Sequence, residues 1–207
     1  MSDRAGSPVV LAEAHWPPPD DPDARPDQGR FLHSRFPPLI AATAEACLRL
    51  HYGEPPAPAG RGRRTAVLLS SLGADRATAA RVAEAVGAGA QVAKPLLFQS
   101  APTAALGLVT ARWGLAGPML SITPLGDRLK DALALAGRLL AVGEAAEVLL
   151  VCADLADRPG TPDRAQALLL GPPARTPAPL TPPPRVAPPP ARPPARPPER
   201  APAPPGA

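Results

Sequence analysis

Residues 102–154 decide the fold: PTAALGLVTARWGLAGPMLSITPLGDRLKDALALAGRLLAVGEAAEVLLVCAD. The segment predicts a helix over 103–113, a short apolar strand over 119–122, a turn at Gly126, an amphipathic helix over 127–142 and a buried strand over 148–152. In the long helix, an apolar stripe recurs at helical spacing through Leu129, Leu133, Ala136 and Leu140. Strands that alternate with helices indicate an α/β sheet.

The flanking sequence extends this alternation. A short strand is predicted at 8–13, a helix at 39–51, a continuous apolar strand at 66–69 and a final strand at 165–170. Asp75 is predicted to cap a helix over 76–86, and residues 94–98 are predicted to be extended. The inward face of the 76–86 helix is expected to carry these side chains: Ala79, Val82, Ala83 and Val86.

Composition divides the chain into three parts. Of the 34 prolines, 17 lie in residues 171–207, where large apolar side chains are almost absent. Such a segment cannot bury enough surface to offset chain entropy, so residues 172–207 are expected to be a disordered Pro/Arg-rich tail. Residues 1–35 are expected to be largely irregular apart from the first strand. Residues 36–171 are the predicted domain.

Charge and cysteine usage exclude several classes of protein. The formal net charge of +4 is carried by the tail, which has five arginines and one glutamate, so the domain is neutral and no nucleic-acid partner is predicted. There is no apolar run long enough for a membrane span. Two widely spaced cysteines and the lack of a secretory signal favour a cytoplasmic protein.

The order of these motifs resembles the N-terminal half of β-ketoacyl synthases, the condensing enzymes of fatty-acid and polyketide synthesis. The resemblance rests on Gly117-Pro118, the strand, turn and helix that follow, the strand ending in Cys152, and a "P-x-x-F" run at 95–98. It is most similar to the short β-ketoacyl synthase-like N-terminal domain proteins. The resemblance implies one thiolase-like half: a mixed five-stranded sheet with helices on both faces.

The resemblance also implies where a nucleophile would stand. In this family a cysteine follows the strand that precedes the long helix, and the matching residue here is Gly126. The amides of a helix N-terminus can stabilise a thiolate or an oxyanion, but glycine offers no nucleophile. His15, His33 and His51 all precede this position, and none matches a catalytic histidine of the family. No catalytic residue is therefore assigned.

Other residues leave alternatives open. Cys152 and Cys47 are expected to pack in the core, although Cys152 or a serine is an alternative acyltransferase nucleophile. His51 lies one helical turn from Cys47 without an evident third group. Three hydroxyls lie near the predicted site in sequence, on Ser100, Ser121 and Thr123, and two more lie at a strand-end turn, on Ser70 and Ser71. None of them lies in a nucleophile elbow or a phosphate-binding loop.

Two residues and one loop also have predicted structural roles. Asp127 is expected to be a plain N-cap, and Trp113 a core or interface anchor. The basic loop 61–64 is either solvated or a docking site for an acidic acyl carrier protein. No cofactor or metal-ligand spacing is present.

The sequence therefore predicts a catalytically silent ketosynthase-like protein that partners an active condensing enzyme or a carrier protein. Because a lone thiolase-like half leaves an apolar face open, a homo- or heterodimer is expected. The alternatives are an acyltransferase with a non-standard nucleophile and an adaptor whose proline tail binds domains that read polyproline II helices.

Overall fold

The computed structural model describes residues 7–27, 31, 34–156 and 161–173. Its described part contains one five-stranded sheet and six helices, in the order β1 (Val9–Trp16), α1 (Phe36–Tyr52), α2 (Ala59–Gly62), β2 (Thr65–Ser70), α3 (Arg76–Gly87), α4 (Lys94–Gln99), α5 (Ala104–Trp113), β3 (Met119–Ile122), α6 (Arg128–Ala141), β4 (Glu147–Asp154) and β5 (Arg164–Gly171). His33 and residues 174–207 of the predicted tail lie outside the described residues.

The sheet is mixed, as predicted. Its strand order is β1-β5-β4-β2-β3, in which β4, β2 and β3 run parallel and β5 is antiparallel to both β4 and β1. The first strand continues to Trp16, further than the predicted 8–13, because its residues pair with β5 along nearly its whole length. A register shift between Val10 and Ala12 interrupts this pairing.

Helices cover both faces of the sheet, and the cover is unequal. On one face α1 and α5 bury a core that includes Phe36, Leu39, Leu106 and Trp113. On the other face α6 alone packs on β4 and β2, through Ala132, Ala136 and Leu140 among others. The predicted core role of Trp113 is therefore confirmed, since its side chain is fully buried.

Close packing against β2 explains why glycine stands at position 117, before Pro118. A Cβ on Gly117 would lie 2.5 Å from the carbonyl oxygen of Thr65, a distance that real structures do not show. The Gly117 amide donates to that oxygen, and the Pro118 carbonyl accepts from the Val67 amide. Glycine is required here because the connection from α5 to β3 passes directly against β2.

Two local predictions were wrong. Residues 94–98 are helical rather than extended, since Pro95 stands in the first turn of α4, where a missing amide costs no hydrogen bond. In α3, Ala79, Ala83 and Val86 are exposed and Thr78 is buried instead. This helix packs mainly against α4 rather than on the sheet, so the apolar stripe does not mark its buried face.

Candidate functional site

Gly126, where the resemblance predicts the nucleophile, lies at the carboxyl edge of the parallel strands. Gly126 stands in the loop between β3 and α6 and is exposed. Its amide donates to Oδ2 of Asp131 at 3.1 Å, and the Leu125 amide donates to the same oxygen at 3.2 Å. Two of the amides before the helix are thus already occupied by a carboxylate of this chain.

The backbone does not require glycine at this position. Gly126 does not lie in the left-handed region, and an added Cβ would meet nothing closer than Asp131 Oδ2, at 3.9 Å. A cysteine side chain would fit. The lack of a nucleophile at Gly126 is therefore a matter of residue identity and not of local strain.

Asp127 caps α6 as predicted. Its side chain accepts a hydrogen bond from the Lys130 amide at 2.9 Å. Asp75 caps α3 in the same way and accepts from the Thr78 amide at 3.1 Å. Asp127 and Asp131 place two carboxylates at the start of α6, where a thiolate would be favoured by the opposite charge.

The centre of the carboxyl edge is Asp154, a residue that the sequence did not single out. Its Oδ1 accepts from the Ser71 hydroxyl at 3.0 Å and from the Leu72 amide at 2.9 Å. Its Oδ2 forms an ion pair with Arg128, the first residue of α6. Asp154 therefore ties the end of β4 to the turn after β2 and to the start of α6.

The candidate hydroxyls serve local structure. Ser71 donates to Asp154 and accepts from the Ala74 amide at 2.9 Å, which closes the turn after β2. Ser100 donates to the Leu97 carbonyl oxygen at 2.6 Å. The structure describes no histidine contact for Ser121 or Thr123, which are exposed. No triad geometry is formed among these described residues.

The two cysteines are buried, and both are poor nucleophiles in this fold. Burial raises the pKa of the Cys152 thiol to about 11; Arg128 lowers it and Asp154 raises it. Burial likewise raises the pKa of Cys47 to about 12. The Cys47 thiol donates to the Ala12 carbonyl oxygen at 3.5 Å. Both thiols are therefore protonated at neutral pH.

Cys152 nevertheless lines a cavity of about 410 Å³, together with His15, Trp16, Arg128 and Arg164. No spacing in the sequence indicates this grouping, because Cys152 and His15 lie in strands far apart in the chain. His15 is engaged by Glu13, whose Oε1 lies 2.9 Å from its Nε2. The acyltransferase alternative thus has a histidine in the same cavity but an unactivated thiol.

A second polar cluster lies at the opposite, amino edge of the sheet. The Glu147 carboxylate is buried and accepts from the Tyr52 hydroxyl and from Arg61. Burial first, and then the bond to Glu147, raise the pKa of Tyr52 to about 12. The same carboxylate raises the pKa of Arg61 further. Nε2 of His51 lies 2.6 Å from a guanidinium nitrogen of Arg61. The described contacts of His51 do not include Cys47, the residue one helical turn before it.

This cluster bears on the basic loop 61–64. Arg61 is engaged by Glu147, and the remaining arginines, Arg63 and Arg64, are exposed.

Within the described residues, no group of three or more His, Cys, Asp or Glu side chains could hold a metal ion. The same residues contain no helix long and apolar enough to cross a membrane.

Comparison with solved structures identifies the fold. The chain is similar to a ketosynthase (ApeO) in complex with its chain length factor (ApeC) from Xenorhabdus doucetiae, with a TM-score of 0.60 and 15% identity over 80% of this chain and 79% of that chain. It is similar to the ishigamide ketosynthase/chain length factor, with a TM-score of 0.61 and 15% identity over 80% of this chain and 62% of that chain.

A third structure agrees. A β-ketoacyl synthase from Burkholderia phymatum matches with a TM-score of 0.58 and 15% identity, over 80% of this chain and 59% of that chain. The chain thus spans about three fifths of the length of the latter two structures. No protein-family model and no curated protein matches the sequence.

These likenesses, together with the strand order and the unequal cover of the sheet, define a ketosynthase-like domain of the thiolase fold. The prediction of a thiolase-like half with a mixed five-stranded sheet and helices on both faces is confirmed.

Proposed function

We propose that this chain is a non-catalytic β-ketoacyl synthase-like protein that acts as an accessory subunit to an active condensing enzyme in polyketide or fatty-acid synthesis. The observation that carries the proposal is the loop before α6. Gly126 stands where the resemblance predicts the nucleophile, and Asp131 accepts from the amides of Leu125 and Gly126. A fold that keeps the helix and the turn but lacks the reacting atom is suited to binding rather than to acyl transfer.

The chemistry of the edge supports a silent role. A condensing reaction would need a thiolate and free amides to hold an oxyanion. Here the described edge offers protonated Cys152 and two carboxylates beside the start of α6. Arg128, the cation at the first position of α6, is already paired with Asp154. Asp131, Asp154 and Arg128 at this edge are each engaged by other groups of the fold.

The partner is inferred from an unpaired edge of the sheet. Among the described strands β3 is the outermost, beyond β2, and one row of its backbone groups has no described strand beside it. It carries no charged or proline residue of the kind that blocks edge pairing, and Met119 and Ser121 are exposed on it. The ketosynthase matched above is in a complex with its chain length factor, which supports a condensing-enzyme subunit as the partner here.

The experiment is capture of the tagged full chain from its own host, with identification of the bound proteins by mass spectrometry. We expect an active ketosynthase subunit or an acyl carrier protein in stoichiometric amount. Ser121→Lys, which places a charge on the β3 edge, should abolish capture. Val86→Lys, at an exposed position of α3, is the matched control and should leave it unchanged.

Two results would contradict the proposal. One is a folded chain that captures no condensing-enzyme or carrier protein at all. The other is equal capture by Ser121→Lys and by the unmodified chain, which would remove β3 from the interface.

A further inference from the structure

A groove on the less covered face of the sheet runs between α6 and β1 and encloses about 700 Å³. We call it the α6 groove. Val10 of β1 and Val142, just after α6, both line it, and they are 50% and 70% exposed. Because they line the same groove, they belong to one apolar patch and are not scattered surface residues. Patches of this kind mark interaction sites.

A β-bulge in β1 turns a carboxylate into the groove. Alternate residues of a regular strand face the same side, so Ala12 would follow Val10 on the side of α6. The register shift after Val10 changes this, and Glu13 instead of Ala12 lies opposite Leu168, which packs in the core beneath α6. Glu13 therefore lines the groove, while Ala12 packs against the core of the opposite face. Bulges commonly re-aim a side chain in this way at functional surfaces.

The opposite wall of the groove carries a cation that no described carboxylate neutralises. Arg138 stands in the last turn of α6, is exposed and lines the groove. Among the described residues, no carboxylate lies within ion-pair distance of its guanidinium, that of Glu13 included. Oε1 of Glu13 accepts from Gln166 and lies 2.9 Å from Nε2 of His15. The two walls thus carry opposite charges that do not pair with each other.

These opposite charges make the groove complementary to itself. In a two-fold symmetric interface, if residue i of one copy contacts residue j of the other, then j also contacts i. A two-fold axis along the groove would place Arg138 of each copy against Glu13 of the other, so both ion pairs would form at once. Beside the groove, α6 presents Ala134 and Ala141, which are small and exposed and let a second helix approach closely.

We infer that the α6 groove binds a second copy of this chain in a two-fold symmetric dimer, in which α6 of each copy packs in the groove of the other. The charges decide between occupants. A groove of one sign fits a partner of the opposite charge, whereas one cation and one carboxylate across an apolar floor fit a second copy. The homo- or heterodimer expected from the sequence is then a homodimer at this face.

This inference goes beyond the proposed accessory role and is independent of it. The dimer uses α6 and β1, whereas the inferred partner edge is β3, the outermost described strand at the other side of the sheet. Ser121→Lys should therefore abolish partner capture and leave the dimer of this chain intact. Loss of capture and loss of the dimer are separate results.

The test is sedimentation velocity of the purified full chain over a wide range of concentration. We expect a monomer–dimer equilibrium. Arg138→Glu should weaken the dimer by about a hundredfold or more, because it sets two carboxylates against each other at both symmetric contacts. Arg81→Glu makes the same charge change at an exposed position of α3. It is the matched control and should dimerise as the unmodified chain does.

A complementary variant separates loss of the interface from loss of the fold. Glu13→Arg alone should also be monomeric, because it sets two cations against each other. An equimolar mixture of Arg138→Glu and Glu13→Arg should form a dimer again, since each contact then joins one carboxylate and one guanidinium. Chains that had failed to fold would not restore each other.

Three results would overturn the inference. The first is a folded, unmodified chain that stays monomeric throughout the concentration range. The second is a dimer that is as stable in Arg138→Glu as in the unmodified chain; its dissociation by Ser121→Lys instead would place the second copy at β3. The third is a mixture of the two monomeric variants that remains monomeric.

Discussion

The two edges of the sheet carry similar polar networks, but only the carboxyl edge lies beside Gly126, where the resemblance predicts a nucleophile. At the amino edge, buried Glu147 holds Tyr52 and Arg61. At the carboxyl edge, half-buried Asp154 holds Arg128 and the turn after β2. Both are carboxylates at the ends of β4 that pair with an arginine from another element.

The similarity of the two edges is informative about function. An edge built for catalysis holds groups whose protonation or charge is left available to a substrate. The described carboxyl edge instead uses its carboxylates and Arg128 internally, as the amino edge does. The difference between the edges is burial, so we expect their contributions to stability to differ in the same order.

Glu147→Gln should have the largest effect. It replaces a buried carboxylate that accepts from Tyr52, Arg61 and Thr65, and hydrogen bonds to charged groups contribute about 2–3 kcal/mol. The free energy of unfolding, from urea denaturation, should fall by about that amount. Glu54→Gln, which breaks the exposed pair with Arg49, is the control and should change stability by less than about 0.5 kcal/mol. Equal effects would show that burial does not distinguish the two sites.

Asp154→Asn should cost less. The carboxylate is partly exposed, and the asparagine keeps one oxygen that can accept from Ser71 or Leu72. We expect a loss of about 1 kcal/mol in the same measurement. A loss larger than that of Glu147→Gln would reverse the order of the two edges.

The titration of Tyr52 sharpens the comparison, because Tyr52 is the only tyrosine in the chain. Its pKa rises from the ordinary 10 to about 12 in the fold, so the folded chain holds the phenolic proton more tightly than the unfolded chain does. This stabilisation is complete below pH 10 and is lost as the pH rises through 12. Phenolate absorbance should therefore appear near pH 12 in the native chain and near pH 10 in urea.

A matched variant tests that assignment. Glu147→Gln removes the charge that contributes to the shift, so the native titration should move back toward pH 10. An unchanged titration in Glu147→Gln would leave burial alone as the cause.

The smallest effect is expected at Gly126, and it concerns reactivity rather than stability. Gly126→Cys should fold as the unmodified chain does, since there is room for its Cβ. The new thiol should react with iodoacetamide faster when Asp131→Asn is added, because the nearby carboxylate raises a thiol pKa. Lys130→Gln in the same background is the control for a charge change on the same turn. Equal rates with and without Asp131 would mean that this carboxylate does not influence the site.

Local patterns predicted much of the fold and little of the two networks. The apolar run of β2, the stripe on α6 and the cap at Asp127 each follow from neighbouring residues, and the structure has all three. The face of α3 did not follow, because in an alanine-rich helix small apolar residues occur on every side. The prediction that residues 94–98 are extended was wrong because Pro95 stands in the first turn of α4.

The polar networks could not be predicted for a different reason. Arg61 and Glu147 are 86 residues apart, and no spacing rule connects them. Asp154 resembles any acidic residue at the end of a strand until the sheet brings the turn after β2 beside it. The resemblance predicts a nucleophile position at Gly126, but the hydrogen bond from the Gly126 amide to Asp131 depends on how the loop folds back onto α6.

The most direct test of the silent role is the intact mass of the full chain after incubation with acyl-CoA and acyl carrier protein substrates, beside an active ketosynthase. We predict an acyl adduct on the active ketosynthase and an unchanged mass for this chain. A stoichiometric adduct that maps to Cys152 or to a serine, and that is lost when that residue is substituted, would contradict it and identify an acyltransferase.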